Sequence, residues 1–157
     1  MAIASFRPAA ESDVDLLLQL MAALYQEDGS TPLRREAAMT AIRRLLATPE
    51  LGLVRVIERG GEPAGYLVLT WGYSLEFHGR DAFIDELYVA PAHRGLGIGG
   101  EAVAWAEAAC REHGAAAVHL EVELENERAH ALYRRSGFAE RGLRLMTKRV
   151  GAAPERR

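Results

Sequence analysis

Apolar and polar positions alternate along this chain in two distinct periods, and the switches between them outline a fold. "IASFRPA" (3–9) has the two-residue alternation of a short strand and stops at Pro8. "ESDVDLLLQLMAALYQE" then places Leu16, Leu17, Leu20 and Leu24 at helical spacing, with Ser12 as the expected N-cap and Asp15 in the first turn. "DGSTP" is a turn cluster, and "LRREAAMTAIRRLLAT" reads as a second helix halted before Pro49. "LGLVRVIERGGEPAGYLVLTWGY" reads as a hairpin with strands near 51–58 and 63–73 and Gly60-Gly61 as its turn. "AFIDELYVA" (82–90) is a further strand. "GEAVAWAEAACREHG" is a helix with Gly114 at its C-terminal cap. "AAVHLEVEL" (116–124) is a fifth strand, and "NERAHALYRRSG" is a short helix between Asn126 and Gly137. "FAERGLRLMTKRV" (138–150) is expected to finish as one or two more strands, ahead of a disordered tail at 151–157. The order predicts a mixed α/β sheet within one domain over residues 1–150.

Composition narrows the setting. The chain has 157 residues, is 49% hydrophobic and 26% charged, and carries a formal net charge of −3. That balance is ordinary for a globular protein and offers no general surface to nucleic acid or anionic membrane. Cys110 is the one cysteine, so no disulfide framework exists within the chain, as suits a reducing compartment. No secretory or membrane-spanning pattern is apparent, and a cytoplasmic location is expected. The five histidines show no metal-ligand spacing, and no metal site is expected.

The chemistry concentrates in "PAHRGLGIGGEA" (91–102), a glycine-rich passage between a strand and a helix. Free backbone N–H groups and the helix dipole make such a turn an anion site. Three cargoes compete. A nucleotide P-loop would need Lys then Ser or Thr after Gly100, where Glu101 and Ala102 stand. A dinucleotide fingerprint fits Gly95, Gly97 and Gly100, and Glu121 sits at about the right distance for a ribose. However, Pro91, His93 and Arg94 interrupt a connection that is short in dinucleotide folds, and too little chain follows for the remaining units. The third cargo is coenzyme A, for which the spacing R-x-x-G-x-G falls on Arg94, Gly97 and Gly99.

On that spacing, "IDELYVAPAHRGLGIGGEAVAWAEAAC" resembles the acetyl-CoA-binding motif of the GNAT superfamily of N-acetyltransferases. "LEVELENERAHALYRRSGF" resembles the second motif of the family through Asn126, Ala129, Tyr133, Gly137 and Phe138. The resemblance covers about 82–147. It implies a GNAT-like acyl-CoA N-acyltransferase fold of six to seven strands flanked by about four helices. It implies acetyl transfer from acetyl-CoA to a primary amine by direct attack, as well as a possible homodimer. The pyrophosphate would lie on backbone amides from Arg94 through Gly95, Leu96, Gly97, Ile98 and Gly99 to Gly100. The pantetheine arm would pair with the backbone of Leu87, Tyr88 and Val89, where one N–H would polarise the thioester carbonyl. Asn126 would bond the arm or a water while also capping a helix. Tyr133 occupies the position of the general acid that protonates the leaving thiolate. A CoA-binding regulatory domain without turnover is the alternative. Tyr133 and the carboxylates before the loop argue against it.

An alkylammonium of pKa near 10.4 must lose a proton before it attacks. Asp85 and Glu86 are placed to accept it. Strict alternation puts them on opposite faces of the strand, so only one would enter the cleft unless a β-bulge intervenes. The acceptor itself is expected to be cationic: a polyamine, an aminoglycoside, or a lysine or N-terminal amine of a peptide. Glu27 and Asp28 end the first helix, and Glu121 lies on an acidic strand face with Glu123 and Glu125. Such a face belongs in a cleft, at a solvent edge or against a partner subunit. Trp71 is a candidate wall of the acceptor site, with core packing as its other reading.

Overall fold

The computed structural model describes residues 3–151; residues 152–157 of the expected tail lie outside them. Five strands form one sheet in the order β1-β2-β3-β4-β5: β1 (Ser5–Pro8), β2 (Gly52–Arg59), β3 (Glu62–Ser74), β4 (Gly79–Val89) and β5 (Ala117–Leu120). The first four pair antiparallel, and β5 lies parallel to β4 after a helical crossover. The helices are α1 (Val14–Glu27), α2 (Arg35–Ala47), α3 (Ile98–Glu112) and α4 (Glu127–Arg135). No helix among the described residues is long and apolar enough to cross a membrane.

Each face of the sheet has its own core. On one face Ile57, Leu67, Leu69 and Ile84 pack against Ile98, Ala102 and Ala106 of α3. On the other, Val56, Tyr66 and Tyr88 pack against Leu17 and Leu18 of α1 and Ile42 of α2. The small α3 residues let that helix lie close on the strands. The β2–β3 hairpin turns at Gly60 and Gly61, both at positive φ, as the tight two-residue turn demands. Gly65 serves a different need: a Cβ there would fall 2.0 Å from the Tyr88 carbonyl oxygen, so β3 could not lie against β4.

Three expectations change. Ser12 does not cap α1. A 3₁₀ turn at Glu11–Asp13 precedes the helix, and Asp13 takes the Ala10 N–H at 2.8 Å and the Arg7 guanidinium at 2.7 and 2.8 Å. The buried carboxylate with an arginine partner fixes this entry better than a hydroxyl would. The fifth strand ends at Leu120 instead of running to 124. Residues 138–150 form no strand, so the sheet has five strands where six to seven were expected. Both of the last two changes follow from the sheet edge: beyond Leu120 neither segment has a ladder partner among the described residues.

Candidate active site

The site is made by an irregularity in β4. Val68 pairs with Glu86 and Leu69 with Ile84, leaving Asp85 as an extra residue opposite none. This bulge has two consequences. Ile84 and Leu87, three apart, both pack on the α3 face, so Asp85 and Glu86 are both left facing α1. Accordingly both carboxylates act electrostatically on Tyr25 and Tyr66. The bulge also sits where the parallel ladder to β5 stops, at the Ile84–Leu120 pair. Past it, Leu87, Tyr88 and Val89 pair only with β3, and their other backbone edge is open.

The two carboxylates differ in surroundings. The Glu86 oxygens accept hydrogen bonds from Tyr25 Oη at 2.5 Å and Tyr66 Oη at 2.9 Å. Desolvation nevertheless holds the Glu86 carboxyl above the usual range, against the pull of those two bonds. Asp85 has no hydrogen-bond partner among the described residues and is exposed. The walls around it desolvate it enough to raise its pKa as well. Tyr66 is fully buried, and burial with the nearby Glu86 charge pushes its phenol far up. Neither tyrosine was singled out from the sequence. Tyr25 follows an apolar run at helical spacing and Tyr66 sits in a strand core, so both read as packing residues.

The open edge of β4 faces a cleft of about 440 Å³. Its walls include Leu87, Tyr88 and Val89 on one side, the glycine loop and the start of α3 at one end, and Asn126 and Tyr133 across from the strand. Gly97 caps α3 at φ 86°, and Gly95 is also left-handed at φ 75°. The first-turn N–H groups of α3, at Ile98, Gly99 and Gly100, have no intrahelical acceptors and lie in the wall of this cleft. A Cβ on Gly99 would meet Leu132 Cδ2 at 2.9 Å. That glycine therefore lets α4, which carries Tyr133, approach α3. The donor row and the extended cleft fit a pyrophosphate followed by a long amide-bearing arm. His93, Arg128 and Arg135 also line the cleft, and the sequence reading missed all three. The signal was present for two of them, in the arginines of "NERAHALYRR".

Several expected residues stand elsewhere or are already engaged. The Arg94 N–H goes to the Pro91 carbonyl at 3.2 Å, so the free donor row begins at Gly95. The Arg94 guanidinium donates to the Val89 carbonyl at 2.8 Å and to Glu27 at 2.7 Å, tying the loop to β4 and α1. Leu96 is outside the cleft wall, and its carbonyl accepts from Arg59. Asp28 Oδ1 accepts from the Ser30 N–H beyond the end of α1, and its charge reaches Tyr25. Glu121 is exposed past the end of β5. Trp71 packs on the α3 face, stacked on His113 at 4.8 Å, away from Tyr25 and Glu86. Asn126 Oδ1 accepts the Ala129 N–H as the α4 cap, which leaves its amide donors unspent. Burial raises the Tyr133 phenol above its ordinary value, and its ring meets Phe138 edge-on at 5.8 Å.

Residues 15–138 match the acetyltransferase (GNAT) family. The aminoalkylphosphonate N-acetyltransferase of Salmonella typhimurium is 28% identical over 145 residues, covering 92% of this chain and 91% of that protein. An integron cassette protein from the mobile metagenome of Cole Harbour Salt Marsh superposes with a TM-score of 0.83 at 35% identity, over 94% of this chain and 91% of its own. A protein of Clostridium acetobutylicum described as a predicted acetyltransferase and crystallised with acetyl-CoA shares the fold, with a TM-score of 0.79 at 17% identity over 93% and 96% of the two chains.

Proposed function

Because the chain belongs to the acetyltransferase (GNAT) family and is an acetyl-CoA-dependent N-acetyltransferase, we propose that it acetylates a small cationic primary amine, with Asp85 as the base. The observation that carries this reading is the β4 bulge. It places a carboxylate that makes no hydrogen bond among the described residues beside the stretch of β4 that pairs with β3 alone.

Acetyl-CoA supplies the activated acyl group, and the residues of the chain do the rest. The amides of Gly95 and of Gly97 to Gly100, with the α3 dipole, hold the pyrophosphate. The edge of Leu87 to Val89 holds the pantetheine amides and turns one N–H toward the thioester carbonyl, where a positioned donor typically lowers the barrier by about 2.7–4 kcal/mol. Asp85 takes the ammonium proton, directly or through one water, and the neutral amine then attacks. Tyr133 supplies a proton to the departing sulfur. Glu86 has both oxygens committed to Tyr25 and Tyr66. It therefore fixes the α1 wall and adds negative charge behind Asp85.

The acceptor follows from the charges on that wall. Asp85, Glu86 and Asp28 surround Tyr25, whereas Glu27 is neutralised by Arg94. An ammonium group is drawn to such a wall, and a second cationic group on the same molecule gains further. The Salmonella relative is named for aminoalkylphosphonates, whose anionic head would meet these carboxylates unfavourably. Initial rates of thiol release with a polyamine, an aminoglycoside, a lysine peptide and an aminoalkylphosphonate test the proposal. The polyamine or aminoglycoside should have the highest kcat/KM, falling as salt rises. A preference for the phosphonate would overturn it.

A further inference from the structure

The Arg94 guanidinium is committed to two elements outside the glycine loop. Its Nε donates to the Val89 carbonyl at 2.8 Å and its Nη2 to Glu27 at 2.7 Å, while the group lies 5.5 Å over the Tyr88 ring. The next residue of the strand fixes which way Val89 faces. The Ala90 N–H turns toward β3, where the Ala64 carbonyl accepts it at 2.8 Å. Alternation along an antiparallel ladder therefore turns the Val89 carbonyl outward, to the open edge of β4. Arg94 thus engages the carbonyl at the finish of that edge. Its other partner, Glu27, is the final residue of α1. Two residues earlier, Tyr25 donates to Glu86 at 2.5 Å, and Glu86 immediately precedes the open stretch Leu87–Val89. The last turn of α1 is consequently pinned at both ends of the open edge, by Tyr25 at its start and through Arg94 at its finish.

Beyond these pins the chain is held only locally. The Asp28 N–H returns to the Leu24 carbonyl and the Ser30 N–H to the Tyr25 carbonyl, and Gly29 and Ser30 are exposed. Leu24 and Glu27 line the same cleft as Leu87, Tyr88 and Val89. A charge pair as open as this one, with side chains 28% and 49% exposed, adds little to folding. Its consequence is local and concerns where α1 ends. We propose that Glu27 and Arg94 are a positioning pair: their contact sets how far the α1 wall stands from the strand edge that receives the acetyl donor, and so shapes the space in which the acceptor amine docks. The pair acts through that wall and not on the reacting atoms. This role rests on the proposed docking of the acceptor against the α1 wall; it depends neither on which amine docks there nor on Asp85 as the base.

Steady-state kinetics at saturating acetyl-CoA test this, with the fastest acceptor among the polyamine, aminoglycoside, lysine peptide and aminoalkylphosphonate. The variants are Glu27→Met, Arg94→Met and the two combined. Methionine keeps much of the length of each side chain and removes its charge. Each single variant should raise the acceptor KM about fivefold, the scale of a half-exposed charge pair, with a smaller effect on kcat. The double variant should be no worse than either single one, because the second substitution finds the contact already broken. Direct action of the two charges on a charged acceptor predicts a different pattern. The single variants would then move KM in opposite directions, and the double variant, whose net charge is that of the wild type, would return to the wild-type value. That pattern overturns the proposal, as do single effects that add in the double variant. Asp28→Asn separates this from a failure of the site itself, because it alters the charge of the α1 wall and leaves the pair intact. If it shifts the acceptor KM while the pair variants do not, the positioning role fails and the wall stands as the acceptor site. If none of the four variants moves KM, both fail.

Discussion

Replacing Tyr133 by Phe removes one oxygen, and the structure fixes how much else should change. The hydroxyl has no hydrogen-bond partner among the described residues, and the edge-on contact of the ring with Phe138 survives the substitution. Folding stability should therefore move by no more than about 0.5 kcal/mol. Catalysis should move far more. A positioned general acid contributes about 10²–10⁴ in rate. The leaving thiol has an ordinary pKa near 8.5, about one and a half units above neutral pH, so its thiolate already departs tolerably. The low end applies: kcat should fall about 100-fold, equivalent to about 2.7 kcal/mol, with acetyl-CoA affinity unchanged. Burial lifts the phenol above its ordinary value near 10, so the wild type should keep its acid protonated up to pH 9. Thiol release read with a chromogenic reagent suits this measurement, because Cys110 is buried and burial raises its own pKa. A kcat within twofold of wild type from pH 6.5 to 9 would refute the role. A loss of rate that tracks a loss of melting temperature would refute the claim that the hydroxyl is structurally idle.

Other consequences can be checked by simpler means. Acetyl-CoA should raise the melting temperature while NAD at the same concentration should not, since the donor row and open edge match a pyrophosphate with an amide arm. Gly99→Ala should weaken acetyl-CoA binding and cost about 1 kcal/mol or more by crowding Leu132; Leu132→Ala in the same chain should restore affinity, and failure of the rescue would place the role of Gly99 elsewhere. Asp13→Ala should cost about 1–2 kcal/mol in denaturant unfolding, because it removes the two bonds from Arg7 and the one from the Ala10 N–H while Arg7 keeps Glu58 as a partner. The Arg7 bonds hold Asp13 below its ordinary value near 3.8, so the stabilisation is complete above pH 4 and is lost as pH falls below it. The variant should show a flatter stability profile in that window.

Periodicity and punctuation exposed most of the scaffold. The hairpin glycines, the amphipathic helices and the caps at Asn126 and Gly114 are local features, and the structure repeats them. The glycine loop could be told from a nucleotide P-loop in the sequence, because Glu101 and Ala102 stand where Lys and Ser or Thr would follow Gly100. What the residues did not reveal is non-local. The bulge at Asp85 has no glycine or proline to announce it and exists only in the register with β3. It decides that both carboxylates share a face, which alternation denied. The early end of β5 depends on that same bulge. The engagement of Arg94 by Val89 and Glu27 needs α1 to arrive beside the loop. Residues 138–150 have a strand pattern, but a strand needs a neighbour, and none pairs with them among the described residues.

The central claim is that the bulge makes Asp85 the base and leaves Glu86 a half-buried member of the α1 wall. The most direct measurement is the pH dependence of kcat/KM for Asp85→Asn beside Glu86→Gln, with one amine acceptor. In the wild type the acidic limb should lie above the ordinary carboxylate range, as desolvation of Asp85 requires. The account predicts that Asp85→Asn abolishes that limb and leaves a rate that climbs about tenfold per pH unit with the fraction of free amine. Glu86→Gln should keep the limb and lower the rate only through a loosened wall. The opposite result, a limb that survives Asp85→Asn and vanishes in Glu86→Gln, would contradict it.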